Sequence, residues 1–151
     1  MILILEGPDG SGKTTLATRL HATTGYPIYH RSKPENDEDK ANMMEQLKAD
    51  FKKYKNVIVD RCWYSEIVYG NVMRDGSVID YPEMYDLERL TLSKGALLIY
   101  CTGDPAAMYK RATARGEDYI TSFADYMQIC RSYDRLMFDM PHLLPVVRYT
   151  V

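Results

Sequence analysis

No apolar run in this chain of 151 residues approaches the length of a bilayer helix, so no membrane span is expected. The opening Met1 to Leu5 is too short for a signal-peptide core and runs straight into a glycine-rich segment; it reads as structure rather than an address. Cysteine is scarce. Cys62, Cys101 and Cys130 are odd in number and far apart, which argues against both a disulfide framework and a zinc site and suits a reducing cytoplasm. A basic excess is missing as well, with 19 Lys and Arg against 21 Asp and Glu. Proteins that live on long nucleic acid usually carry such an excess, so the balance favours small nucleotides, although a local basic groove would still admit a polymer. Repeats, linkers and low-complexity stretches are absent. The length suits one domain spanning residues 1–151, with enough residues for a sizeable core.

What is present concentrates at the start. Behind the apolar Ile2-Leu3-Ile4-Leu5 stands Gly7-Pro8-Asp9-Gly10-Ser11-Gly12-Lys13-Thr14, a G-x-x-x-x-G-K-[ST] pattern between a buried strand and a helical pattern. Glycines let the backbone curl so that Gly7, Gly10, Ser11, Gly12 and their neighbours point N–H groups at phosphate oxygens. The helix that follows adds the positive end of its dipole. Lys13 then reaches the β- and γ-phosphates, the Thr14 hydroxyl can ligate Mg²⁺, and Thr15 continues the signature. The expected ligands are ATP and Mg²⁺.

Strand and helix signals alternate along the rest of the chain. Strands are expected at Ile2–Glu6, Tyr26–His30, Val57–Asp60, Ala96–Cys101 and Val146–Val151. Helices are expected over Lys13–Thr23, closed by Gly25, and from the N-cap candidates Asn36 and Asp37 to about Tyr54. Further helices should cover Cys62–Met73, Pro82–Ser93, Asp104 to about Arg115-Gly116, and Ser122 to about Asp139, with a turn at Arg74–Ser77. Such alternation predicts an α/β fold: a five-stranded, mainly parallel sheet with helices on both faces.

A second motif closes the third strand. Asp60-Arg61 should project beside the phosphate loop, because doubly wound folds bind ligands at the carboxyl ends of their strands. A carboxylate there can hold Mg²⁺ or its water shell, and an arginine can clamp a second phosphate bidentately. Trp63, Tyr64 and Tyr69 follow on one helix; they either wall a base or pack in the core at helical spacing. Cys62 reads as a small buried filler, and His30 as a turn or cap residue. His21 and His142 have nothing in their sequence surroundings that suggests catalysis.

Glu6 to Thr15, Asp60-Arg61 with Ser65, Tyr69 and Gly70, the stretch Tyr100 to Gly116 with Pro105, Arg111 and Arg115-Gly116, and the Phe123…Tyr133 spacing together resemble thymidylate kinases, members of the P-loop kinase fold. The resemblance implies that Asp9 lies near the acceptor sugar, where a turn-stabilising aspartate is the alternative. It implies that Arg61 holds the acceptor monophosphate and that Arg115 lies against adenine. It also implies that Arg31 reaches the acceptor base or phosphate, and that the chain pairs as a homodimer. Arg111, one turn earlier than Arg115, is a further nucleotide contact or a solvated helix residue. Two departures stand out. The interval from Lys13 to Asp60 is shorter than the family's, and the lid is cut so that Arg115-Gly116-Glu117-Asp118-Tyr119 runs almost directly into the last helix.

The implied reaction is phosphoryl transfer from ATP to a deoxynucleoside monophosphate, a pyrimidine such as dTMP or a modified dUMP, with Lys13, Asp60, Arg61 and Asp9 as catalytic candidates. A second reading moves the phosphoryl group to a hydroxyl on a deoxynucleoside or on a modified pyrimidine in DNA. That acceptor would want a carboxylate base, for which Asp60 and Glu35 are available. A third reading is a nucleotide-dependent switch NTPase.

Overall fold

A computed structural model describes residues 1–116 and 122–151. Strand β1 (Ile2–Glu6) is buried at every position, as a strand covered on both faces must be. Its alternation sorts the core. Ile2 and Ile4 join Val57, Val59, Leu98, Trp63 and Ile129 on one face, while Leu3 and Leu5 meet Leu16, Ala17, Ile58 and Ile99 on the other. Successive side chains of a strand point to opposite faces, so one short apolar run serves both layers.

The described residues form a sheet in the order β2-β3-β1-β4-β5, every pairing parallel. The remaining strands are β2 (Ile28–His30), β3 (Val57–Asp60), β4 (Ala96–Thr102) and β5 (Val146–Thr150). The helices are α1 (Lys13–Thr24), α2 (Asp37–Lys53), α3 (Trp63–Met73), α4 (Tyr81–Leu92), α5 (Pro105–Ala114) and α6 (Phe123–Asp134). The order reverses at β1, which puts a crevice at its carboxyl end. Four helices start on a side-chain cap: Asn36, Asp80, Asp104 and Ser122 each accept from the backbone N–H three residues on. Such caps contribute about 1 kcal/mol apiece. No helix among the described residues is long and apolar enough to cross a membrane.

Several boundaries differ from the expectation by a residue or more, and three of them have a plain physical reason. Strand β2 begins at Ile28 instead of Tyr26, because Pro27 has no N–H to give a ladder; only its carbonyl pairs, accepting from Ile58. Helix α4 begins a residue early, at Tyr81, because Asp80 and Glu83 close a reciprocal capping box. The last long helix stops at Asp134 and continues as one π-helical turn, Arg135–Asp139, where the Leu136 carbonyl pairs with the His142 ring.

Candidate functional site

After Glu6 the chain curls through residues 7–12 and enters α1 at Lys13. The Lys13 ammonium is folded over this loop, donating to the carbonyls of Gly7 and Pro8 at 2.8 Å each and to Ser11 Oγ at 3.2 Å. Burial, with Arg61 pushing the same way, lowers its pKa to about 8 against the pull of Asp9 and Asp60. A phosphate arriving here would replace weak carbonyl acceptors with full negative charge. Two helices brace the loop from behind. Arg111 Nε donates to the Gly10 carbonyl at 2.9 Å, and the Tyr126 hydroxyl donates to the Asp9 carbonyl at 2.5 Å. Gly10 permits the approach of α5, since a Cβ there would lie 2.2 Å from the Met108 carbonyl oxygen.

Parallel register brings the other half of the site alongside. Asp60 pairs with Leu5 on one side and with His30 on the other, so β2 and β3 finish level and β1 runs one residue further, to Glu6. Asp60 is only 4% exposed. One of its carboxylate oxygens meets His30 Nδ1 at 3.2 Å, and the other, Oδ1, is buried without a hydrogen-bond partner among the described residues. The next residue turns sharply: Arg61 has φ +71°, a left-handed conformation uncommon for a non-glycine residue. This swings its guanidinium back over the loop. It ion-pairs with Asp9 and donates to the Gly7 carbonyl at 3.3 Å, Ser65 Oγ at 3.0 Å and the Tyr133 hydroxyl at 3.4 Å. The Tyr69 ring lies beneath it at 5.3 Å.

Glu6 underpins this arrangement. Fully buried, it accepts from the Cys62 N–H at 2.5 Å, Ser65 Oγ at 2.6 Å and the Tyr133 hydroxyl at 3.1 Å. Burial pushes its carboxyl up, and the Arg61 charge with the Ser65 and Cys62 donors pulls it only part of the way back. The Cys62 thiol is pushed well up by burial and by Glu6, as suits an inert filler.

A cleft of about 400 Å³ opens between these two halves. Gly10, Gly12, Lys13 and the exposed Thr14 line one side; Asp60, Arg61, Tyr69 and Arg31 line the other, and Arg115 stands at the rim. Arg31 is also held by Asp50 at 2.6 Å. Several candidates stand apart. Trp63 is fully buried between Phe51 and Tyr64 and does not line the cleft; packing against the sheet claims it, not a base. Arg111 serves the loop's backbone rather than the cleft or the solvent, and Thr15 faces outward. The lid segment Glu117-Asp118-Tyr119 lies outside the described residues.

Sequence reasoning missed Glu6, Glu66, Arg74 and the contact of His30 with Asp60. Glu6 did carry a signal, an acid closing an otherwise apolar strand, because a buried charge is retained only with compensation. The Mg²⁺ candidates fit that ion: Thr14 offers a hydroxyl to the cleft, and Asp60 holds a carboxylate oxygen without a hydrogen-bond partner among the described residues.

No family model matches the chain. It is 34% identical over 122 residues to the SPbeta prophage-derived protein YorR of Bacillus subtilis, an alignment covering 79% of this chain and 72% of that protein. The crystal structure of YorR in complex with phosphorylated GDP matches at TM-score 0.82 and 28% identity, covering 99% of this chain and 85% of that one. Deoxyadenosine kinase from M. mycoides, with dCMP and dCDP bound, matches at TM-score 0.68 and 17% identity, over 100% and 89% of the respective chains. The fold is that of the P-loop nucleotide kinases.

Proposed function

The chain belongs to the same family as Bacillus subtilis YorR, and from that premise we propose that residues 1–151 act as one P-loop kinase domain moving the γ-phosphoryl group of ATP to a nucleotide. The acceptor we propose is a deoxynucleoside monophosphate, a pyrimidine such as dTMP or a modified dUMP. One observation carries the reading: Lys13 from the start of α1 and Asp60-Arg61 from the end of β3 converge on a single cleft beside the phosphate loop. A second phosphate-binding group opposite the loop is what a transferase needs and a switch does not.

Phosphoryl transfer demands little covalent work from the protein, so positioning and charge carry the catalysis. Loop amides and Lys13 stabilise charge gathering on the transferring group. Arg61 draws the acceptor phosphate towards the donor and screens repulsion between two anions; its engagement with Asp9 holds it in place until the acceptor arrives. Asp9 then turns to the acceptor sugar. Thr14 and Asp60 would hold Mg²⁺, whose chemistry is to neutralise and orient the donor phosphates. Arg115 contributes a flat cation against adenine, and Arg31 a further contact to the acceptor.

One observation favours a hydroxyl acceptor as a second reading. Arg61 is already neutralised by Asp9, while the exposed Glu35 lines the same cleft and could take a proton. Product analysis by mass spectrometry and ³¹P NMR separates the two: a diphosphate formed from a monophosphate supports the first reading, and a phosphomonoester on a nucleoside or on DNA the second. Lys13→Ala should lower kcat by about 10³-fold or more with any acceptor. An undiminished rate in that variant would defeat both.

A further inference from the structure

Asp9, in the middle of the phosphate loop, is anchored through its N–H, its carbonyl and its carboxylate. The N–H donates to the Tyr69 hydroxyl at 3.2 Å, the carboxylate ion-pairs with Arg61, and the carbonyl accepts from the Tyr126 hydroxyl at 2.5 Å. Tyr69 and Arg61 line the cleft, where a ligand meets them directly. Tyr126 is fully buried and forms no part of the cleft wall, yet its hydroxyl ends on the loop.

The contact is firmly seated. Tyr126 lies one turn into α6, where Ser122 caps the helix by accepting from the Asp125 N–H at 3.1 Å. Its ring stands 5.3 Å from the Tyr109 ring of α5, and Tyr109 meets Phe123 at 5.1 Å, so α5 and α6 reach the loop as one unit. Burial pushes the Tyr126 pKa up, and Cys130, Tyr69 and Asp9 push the same way; the hydroxyl keeps its proton and serves as a donor. The next carbonyl of the loop, that of Gly10, is taken by Arg111 of α5 at 2.9 Å.

A trans peptide unit is planar, with its carbonyl and its N–H pointing in opposite directions. Drawing the Asp9 carbonyl back to α6 therefore turns the Gly10 N–H away from that helix, towards the cleft that Asp9 and Gly10 line. The following unit obeys the same rule: with the Gly10 carbonyl on Arg111, the Ser11 N–H turns inward and donates to the Pro8 carbonyl at 3.2 Å. A backbone amide aimed in advance at an anion needs no rearrangement when charge develops there.

Resting on the kinase reading above, we infer that Tyr126 is a positioning residue for phosphoryl transfer, whose single hydrogen bond fixes the Asp9–Gly10 peptide so that the Gly10 N–H is aimed at the donor phosphates. The hydroxyl itself touches neither donor nor acceptor. Without it the peptide loses its outer restraint and the amide its aim. An interaction that matters most in the transition state shows in kcat, so the loss falls there and leaves acceptor binding alone.

The test is steady-state kinetics with saturating ATP and whichever acceptor the unaltered enzyme uses best, alongside thermal melting. Removing a preorganised donor outright costs about 10²–10³-fold, so loosening one in Tyr126→Phe should lower kcat about tenfold while the acceptor KM stays within about twofold. The ring and its packing remain, so the variant should melt within a few degrees of the unaltered protein. Tyr109→Phe removes a hydroxyl from the neighbouring ring while the Tyr126 bond to Asp9 stays, and should keep kcat. An undiminished kcat in folded Tyr126→Phe overturns the inference and leaves the kinase reading standing. So does a fall of equal size in Tyr109→Phe, which would trace the effect to the packing of α5 on α6, or a rise in acceptor KM with kcat kept. Failure of the unaltered enzyme to phosphorylate any monophosphate, nucleoside or DNA overturns the reading itself, and the inference with it.

Discussion

Two glutamates, Glu6 at the end of β1 and Glu88 on α4, are equally sealed from water, yet they serve different ends. Glu88 accepts from the Tyr64 hydroxyl at 3.0 Å, His142 Nδ1 at 2.8 Å and the Leu143 N–H at 2.7 Å. Its partner His142 is sealed too, with Nε2 on the Leu136 carbonyl at 2.7 Å. The cluster closes on itself and fastens α4 to the segment between α6 and β5. Glu6 is satisfied as fully, but its donors Ser65 and Tyr133 are shared with Arg61, and Arg61 opens onto the cleft. Burying a carboxylate is costly in both places. Where the network ends on itself it specifies the fold; where it ends at a cavity it specifies a site.

The sharpest way to break this comparison is to disable each glutamate in turn. Glu88→Ala leaves the Tyr64 hydroxyl, the His142 ring and the Leu143 N–H without their buried partner and should cost about 3–5 kcal/mol, lowering the melting temperature by roughly 10 °C with kcat and KM unmoved. Glu6→Gln keeps the shape but loosens Arg61, and should lower kcat roughly 10–100-fold with a smaller change in melting. If Glu6→Gln alters only stability, the distinction collapses.

A second contrast lies in pH. Both His142 nitrogens face oxygen partners, an arrangement that favours the protonated ring. Burial works against its charge, but the hydrogen bonds it donates to Glu88 and to the Leu136 carbonyl outweigh burial and raise its pKa above 6.5. For a raised histidine the stabilisation is complete below the unfolded value and is lost as pH climbs through the folded one. Melting temperature should therefore decline as pH rises above 6.5, and His142→Gln should flatten that decline. An unchanged slope in the variant would show that His142 is not its source.

The smallest effect is expected at Trp63. Its Nε1 has no hydrogen-bond partner among the described residues, so Trp63→Phe loses packing but relieves a buried donor, for a net cost of about 1 kcal/mol. The KM for the acceptor should stay within about twofold. A large rise in KM would return this ring to the substrate.

The architecture was legible because its signals are local. The central strands β1, β3 and β4 are short, nearly continuous in apolar residues and bounded by turn or cap residues, and the phosphate loop is contiguous in sequence. The Asp60-Arg61 pair was legible for the same reason. Glu66 and Arg74 were not, since a glutamate one turn into an apolar helix and an arginine in a turn look like solvated residues. The π-helical turn was equally hidden, because the Leu136–His142 contact joins residues on either side of Pro141.

Sequence by itself determined the alternation of strands and helices, the five-stranded parallel arrangement and the position of the phosphate loop, all of which follow from periodicity and contiguous motifs. Tertiary structure alone decided which charges are completed and which are left waiting. Whether Asp60 Oδ1 or Arg74 Nε finds a partner depends on chain segments far apart in sequence, and hydrogen bonding is settled by distance and direction that no linear pattern encodes.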